Sequence, residues 1–352
     1  MQSHDCVPLL NLTRGKVVES CHYGAFALVD RYGTLIASEG NPGLITFPRS
    51  SMKPLQALAF LEKKGDEFYD LSPKEIAIMC ASHSGTDAHV EVLKGMHSKI
   101  GISVDDLKCG VHWPMDRATA DAMRLRHELP DAYRHNCSGK HTGMLAQAKM
   151  RGLPLENYLD LDHPIQRTIL QVVSEMCELD PASIEPGIDG CSAPVFALPM
   201  SNFAMAIARV CDPTGLSPDR ENACNRIVDA MVSFPEMVAG PGRFDTLLME
   251  ALSGRVIAKG GAEGYQVIGI RPGAFGPGSP ALGIALKVAD GDYAKRAISS
   301  ICLSILEQLG LLQPDSLNSL SEFAMRKITN WRDIEVGMMQ PAFTIRKFSW
   351  QA

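Results

Sequence analysis

The chain has 352 residues, 45% of them hydrophobic and 21% charged, the profile of a folded enzyme with one large domain or two fused ones. Its formal net charge of -6 is the wrong sign for nucleic acid or an anionic membrane, both of which require a basic face. A small molecule is the expected partner.

Met1 to Leu10 carries Asp5 and lacks a basic start, so it does not read as a secretory signal, and no apolar run in the chain is long enough to span a membrane. Lys16–Asp30 and Thr34–Ser38 read as two strands joined by the turn residues Arg31, Tyr32 and Gly33. From about residue 50 to 252 the periodicity becomes helical, most clearly over 54–63, 86–100, 164–177 and 244–252. In the third of these Ile165, Ile169, Val172, Val173 and Met176 form one stripe, with Asp162 expected as the cap. Strand patterns return at 255–258, 265–270 and 281–289, before a helix over 293–309 with Asp292 at its entry and Gly310 past its end. The expected fold class is therefore α/β (α+β): a single domain over 1–352, with a mainly antiparallel sheet from about 15–46 and 254–350 and a helical insertion over about 50–252. The ten cysteines contain no CxxC pair, which fits reduced thiols and a cytoplasmic location.

Arg49-Ser50-Ser51-Met52-Lys53-Pro54 is the strongest local signal, because Ser50 and Lys53 stand three apart at the opening of a helix and so share one face. A serine hydroxyl needs a base to become a nucleophile, and a neutral lysine can serve. The same text also suits a helix start in which Ser50 merely caps. Two further segments shift the weight: Ser82-His83-Ser84-Gly85 after the apolar run 76–81, and Lys259-Gly260-Gly261 after a strand. Their order mirrors that of penicillin-recognising serine hydrolases, although the third segment lacks the hydroxyl of a K-T-G strand.

A second cluster, Asn136-Cys137-Ser138-Gly139-Lys140-His141, reads as a tight turn feeding a helix. It is no phosphate loop: Arg134 stands where that motif has its first glycine, and His141 where it has a hydroxyl. Farther on, Gly187-Ile188-Asp189-Gly190-Cys191 is a loop that permits close backbone approach. Thiolates from Cys137 and Cys191 suit a borderline-soft ion such as zinc, and they also suit apolar packing.

Taken together, these five segments resemble the rhizobial-type, or class 3, L-asparaginases over about residues 15–290. The resemblance implies a fold akin to serine beta-lactamases, a homodimer, and hydrolysis of L-asparagine to L-aspartate and ammonia through an acyl-enzyme. It implies Ser50 as nucleophile with Lys53 as base, and Ser82 paired with Lys259. It further implies zinc on Cys137, Lys140 and Cys191, and substrate contacts from Arg49, His83, His141 and Asp189. A glutaminase or beta-lactam-type hydrolase would use the same machinery, and a non-catalytic zinc- or amino-acid-binding protein is the reading from another class.

Overall fold

A computed structural model describes residues 2, 4–324 and 327–345 of the chain. Internal packing divides it into two compact units, Met1–Pro48 with Leu198–Asp212 and Leu247–Ala352, and Arg49–Ala197 with Pro213–Thr246. Among the described residues no helix is long and apolar enough to cross a membrane.

The first unit is built on an antiparallel sheet of eight strands: β1 (Val7–Arg14), β2 (Val17–Asp30), β3 (Leu35–Glu39), β4 (Val256–Gly260), β5 (Tyr265–Ile270), β6 (Leu282–Val288), β7 (Lys327–Thr329) and β8 (Glu335–Pro341). Their order is β7-β8-β1-β2-β6-β5-β4, with β3 also on β2. Both chain termini thus feed one sheet, as expected. Asp30 accepts the N–H groups of Tyr32 and Thr34 and Gly33 takes φ 85, which closes the β2–β3 turn.

β1, β7 and β8 lie outside the strands expected from sequence. β1 carries Pro8 at a register irregularity, and β8 buries Gly337 and Met339 while exposing Met338, so neither shows the regular apolar spacing that announces a strand. The last part of the expected C-terminal boundary, 346–350, lies outside the described residues. Helix Met200–Cys211 lies on this sheet across a paired Gly269 and Gly283. A Cβ at Gly283 would stand 1.8 Å from the Ala204 carbonyl oxygen, so only glycine admits the helix this close.

Helices form the second unit: α1 (Lys53–Leu61), α2 (Pro73–Met79), α3 (Asp87–Ile100), α4 (Ser138–Met150), α5 (Pro164–Cys177) and α6 (Pro218–Ser233). Capping boxes at Ser72 and Thr86 start α2 and α3. His163, and not the expected Asp162, caps α5 through its ring nitrogen, while Asp162 is drawn to Arg167. α4 crosses α2 at two glycines one turn apart: a Cβ at Gly139 would stand 2.0 Å from the Ile78 carbonyl oxygen, and one at Gly143 2.6 Å from Met79 Cε. That close crossing brings the start of α4 against the end of α2, where Ala81 and Ser82 follow.

Candidate active site

Residues Arg49–Met52 form a 3-10 turn that leads directly into α1 at Lys53. Ser50 thus lies in the turn and Lys53 opens the helix that follows, three positions on. Arg49, just before the serine, holds the left-handed φ of 52 that a side chain rarely adopts, a strain the surrounding contacts must sustain. Its Nε and Nη2 both donate to one oxygen of Asp189, at 2.8 and 2.7 Å, and the Gly190 N–H donates to that same oxygen. The expected substrate residues Arg49 and Asp189 are therefore partners of each other.

Lys53 is fully buried, and its amine donates to the carbonyl oxygens of Ala81 at 2.5 Å and Asn136 at 3.3 Å. Its third contact is the Ser82 Oγ at 3.0 Å. Carbonyls only accept, so they fix two N–H bonds of the amine whatever its charge. The remaining position faces the serine, where a neutral amine accepts a proton and an ammonium returns it. The hydroxyl that Lys53 meets in this arrangement is Ser82, whereas the sequence spacing pointed to Ser50, whose side chain is half-exposed.

Ser82 sits in a loop pinned by a second segment: its N–H donates to Val238 O at 2.9 Å, and Ser84 Oγ donates to Ala239 O at 2.7 Å. Gly240, at φ 122, closes on Ser84 so tightly that a Cβ would stand 2.4 Å from its hydroxyl. His83 is fully buried beneath the loop, accepting from the Gly85 N–H on Nδ1 and donating from Nε2 to Ser138 Oγ at 2.8 Å. Burial first, and then His89 and Lys53, hold it well below the usual histidine range. Both of its nitrogens are committed to holding the loop on α4.

Cys137, Lys140 and Cys191 are buried together, with Lys140 Nζ donating to Cys191 Sγ at 2.9 Å. The hydrogen bond from Cys191 brings the Cys137 thiol down, and the same bond with burial pushes Cys191 up. Burial opposes the Lys140 ammonium, but Cys191 and Cys137 outweigh it and raise its pKa. Among the described residues no cluster of three His, Cys, Asp or Glu side chains forms a metal cage, so a lysine has to complete this set. Two sulfurs and an amine are donors that zinc accepts. An ammonium has no lone pair, so a dication would displace the Lys140 proton and a thiol proton. On donor chemistry the three residues fit.

His141 is fully buried on α4 beside this set. Tyr158 Oη, which accepts the Lys108 N–H, lies 2.6 Å from His141 Nδ1. The other ring nitrogen, Nε2, is buried and has no hydrogen-bond partner among the described residues. Lys259 belongs to the sheet unit, on β4, where it is buried and donates to the Gly260 carbonyl at 2.6 Å. Of the expected residues of the helical unit, Lys53 meets Ser82, Lys140 meets Cys191 and Arg49 meets Asp189. The Ala81 and Asn136 carbonyls and Tyr158 were missed, since backbone acceptors leave no mark in a sequence. Gly139 and Gly143, spaced by one helical turn, were the available signal for the close crossing.

No curated protein matches the chain significantly. Among solved structures, Mglu in its native form aligns with a TM-score of 0.43 at 12% identity over 84% of this chain and 66% of its own. A second crystal form, in 4.3 M NaCl, aligns with 0.41 at 14% over 84% and 63%. The chain therefore spans slightly less than two thirds of the Mglu length. The Bacillus subtilis glutaminase YbgJ, in covalent complex with 5-oxo-L-norleucine, aligns with 0.37 at 9% over 89% and 93%. The sequence profile described as L-asparaginase II matches residues 10–341, nearly the whole chain. The chain belongs to the L-asparaginase II family.

Proposed function

We propose that the protein hydrolyses the side-chain amide of L-asparagine, releasing ammonia and L-aspartate through a serine ester. Ser50 attacks the amide carbonyl, and its proton passes to the Ser82–Lys53 pair. Backbone N–H groups beside Ser50 stabilise the oxyanion. The tetrahedral intermediate then expels nitrogen, which takes the proton back and leaves as ammonia. Water, deprotonated by the same pair, attacks the ester; aspartate departs as Ser50 is reprotonated. The observation that supports this most is the Lys53 amine, fixed by two carbonyls with its exchangeable position facing Ser82.

Cys137, Lys140 and Cys191 would hold a zinc ion, which when bound supplies a fixed positive charge for orienting substrate. His141 Nε2 hydrogen-bonds to the bound substrate, and the Arg49–Asp189 pair holds the Ser50 turn. The same reading carries a cytoplasmic homodimer. Ammonia release decides the function: wild-type protein is expected to act on asparagine in preference to glutamine, and Ser50→Ala to lose activity while keeping its folded spectrum. Preference for glutamine would reassign the substrate, and full turnover by Ser50→Ala would move the nucleophile to Ser82.

A further inference from the structure

Arginine in the interior of a fold normally holds a carboxylate, because a desolvated guanidinium without one is costly. The half-buried arginines of the helical unit follow this rule: Arg49 holds Asp189, Arg134 holds Asp87, Arg220 holds Glu62 and Glu175, and Arg226 holds Asp66 and Glu67. Arg243 is the exception. It too is half-buried, yet among the described residues it pairs with no acid; its Nη1 reaches only Ser84 Oγ at 3.5 Å and Met115 Sδ at 3.9 Å.

Its position is set by the same segment that pins the serine loop. Val238 and Ala239 bind Ser82 and Ser84 through their carbonyls, and Gly240 closes on Ser84 with no room for a side chain. Arg243 N–H returns to the Gly240 carbonyl, which turns the guanidinium back over Ser84, two residues from the serine that Lys53 contacts. The acid nearest in the chain to this contact, Asp116, has its N–H on Ser84 O and its carboxylate on the Thr119 N–H, where it caps a helix. A cation on Ser84, two residues from Ser82 and paired with no acid among the described residues, matches an anion that arrives from solution.

We infer that Arg243 is a specificity-determining residue that binds the α-carboxylate of the amino-acid amide. This rests on the function proposed above: every substrate of that class carries one carboxylate and one side-chain amide, and a planar guanidinium grips the former while Ser50 meets the latter. Arg243 makes no bond to the reacting groups, so its removal is read in substrate affinity.

The test measures ammonia release from L-asparagine and from its α-methyl ester by wild type, Arg243→Gln and Arg243→Lys. For asparagine, Arg243→Gln is expected to raise KM about 10- to 100-fold with kcat changed by less than about 3-fold, and Arg243→Lys to recover part of the loss. On the ester, which lacks the anion, wild type already shows the high KM and Arg243→Gln adds nothing. An unchanged KM for asparagine, or an equal loss on acid and ester by both variants, overturns the assignment. Wild type that releases no ammonia from asparagine or glutamine overturns the functional reading itself, and the anchor with it.

Discussion

Lys53 shows how a buried amine is aimed. The Ala81 and Asn136 carbonyls hold two of its N–H bonds, so its basicity is directed at a single atom, Ser82 Oγ. Ser82→Ala removes the acceptor of that third bond and leaves the clamp intact. The expected outcome is a fall in kcat of about 100- to 10,000-fold, the usual worth of a general acid–base, with KM for asparagine little changed. Stopped ammonia assays at saturating substrate check it, and a kcat within a few-fold of wild type would rule out Ser82 in the proton path. Ser82 and Lys53 were legible as candidates because their segments follow one another in an order shared with serine hydrolases, not because of the three-residue spacing, which a helix cap also explains. Their partnership was not legible, because it is chosen by two carbonyls 28 and 83 residues away from Lys53. His83 illustrates the same limit: a histidine in a serine loop reads as a substrate contact, yet it is buried with both nitrogens engaged.

Among the elements, the helices were read well in their bounds where the periodicity is regular, as in α3 and α5, although the α5 cap is His163 and not Asp162. Expected to start at Tyr293, the last of them begins at Ile298, because Asp292 and Lys295 take positive φ and Asp292 accepts the N–H groups of Arg296, Ala297 and Ile298. What no periodicity reveals is distance between elements, and here glycine decides it. Gly139→Ala drives a Cβ into the Ile78 backbone, which has no rotamer with which to yield, and strains the Ser138–His83 bond between α4 and the Ser82 loop. A loss of about 1–3 kcal/mol is expected, measured as a lower urea midpoint at unchanged slope. Gly95 in α3 is the contrast: a Cβ there meets only the Glu75 side chain at 3.9 Å, so Gly95→Ala is expected to stabilise by about 0.5–1 kcal/mol through helix propensity. Equal effects from the two substitutions would remove close packing as the reason for Gly139.

Across the helical unit as a whole, the buried histidines make stability depend on pH in one direction. His89 accepts from Thr86 on Nδ1 and donates to Glu236 O from Nε2, and His97 donates to Thr142 Oγ1 while accepting from Tyr133 Oη, so each is held as the neutral ring. Burial lowers both to about 4, and burial, with His89 and Lys53 beside His83 and Lys140 beside His141, also holds those two rings well below the usual histidine range. The unfolded chain takes up a proton on each ring near pH ~6.5, which the folded chain refuses. Stability from these groups is therefore complete above about pH 6.5 and falls as the pH drops toward 4, by about 1.4 kcal/mol per pH unit for each ring once the unfolded chain is fully protonated. The thermal midpoint should decline through that window, before most carboxylates titrate, and His97→Gln should flatten the decline by about one proton. A midpoint independent of pH between 6.5 and 4.5 would mean that these rings are protonated in the folded chain, and that the network of His97, Tyr133, Thr142 and Ser138 behind the site is differently bonded from the one described.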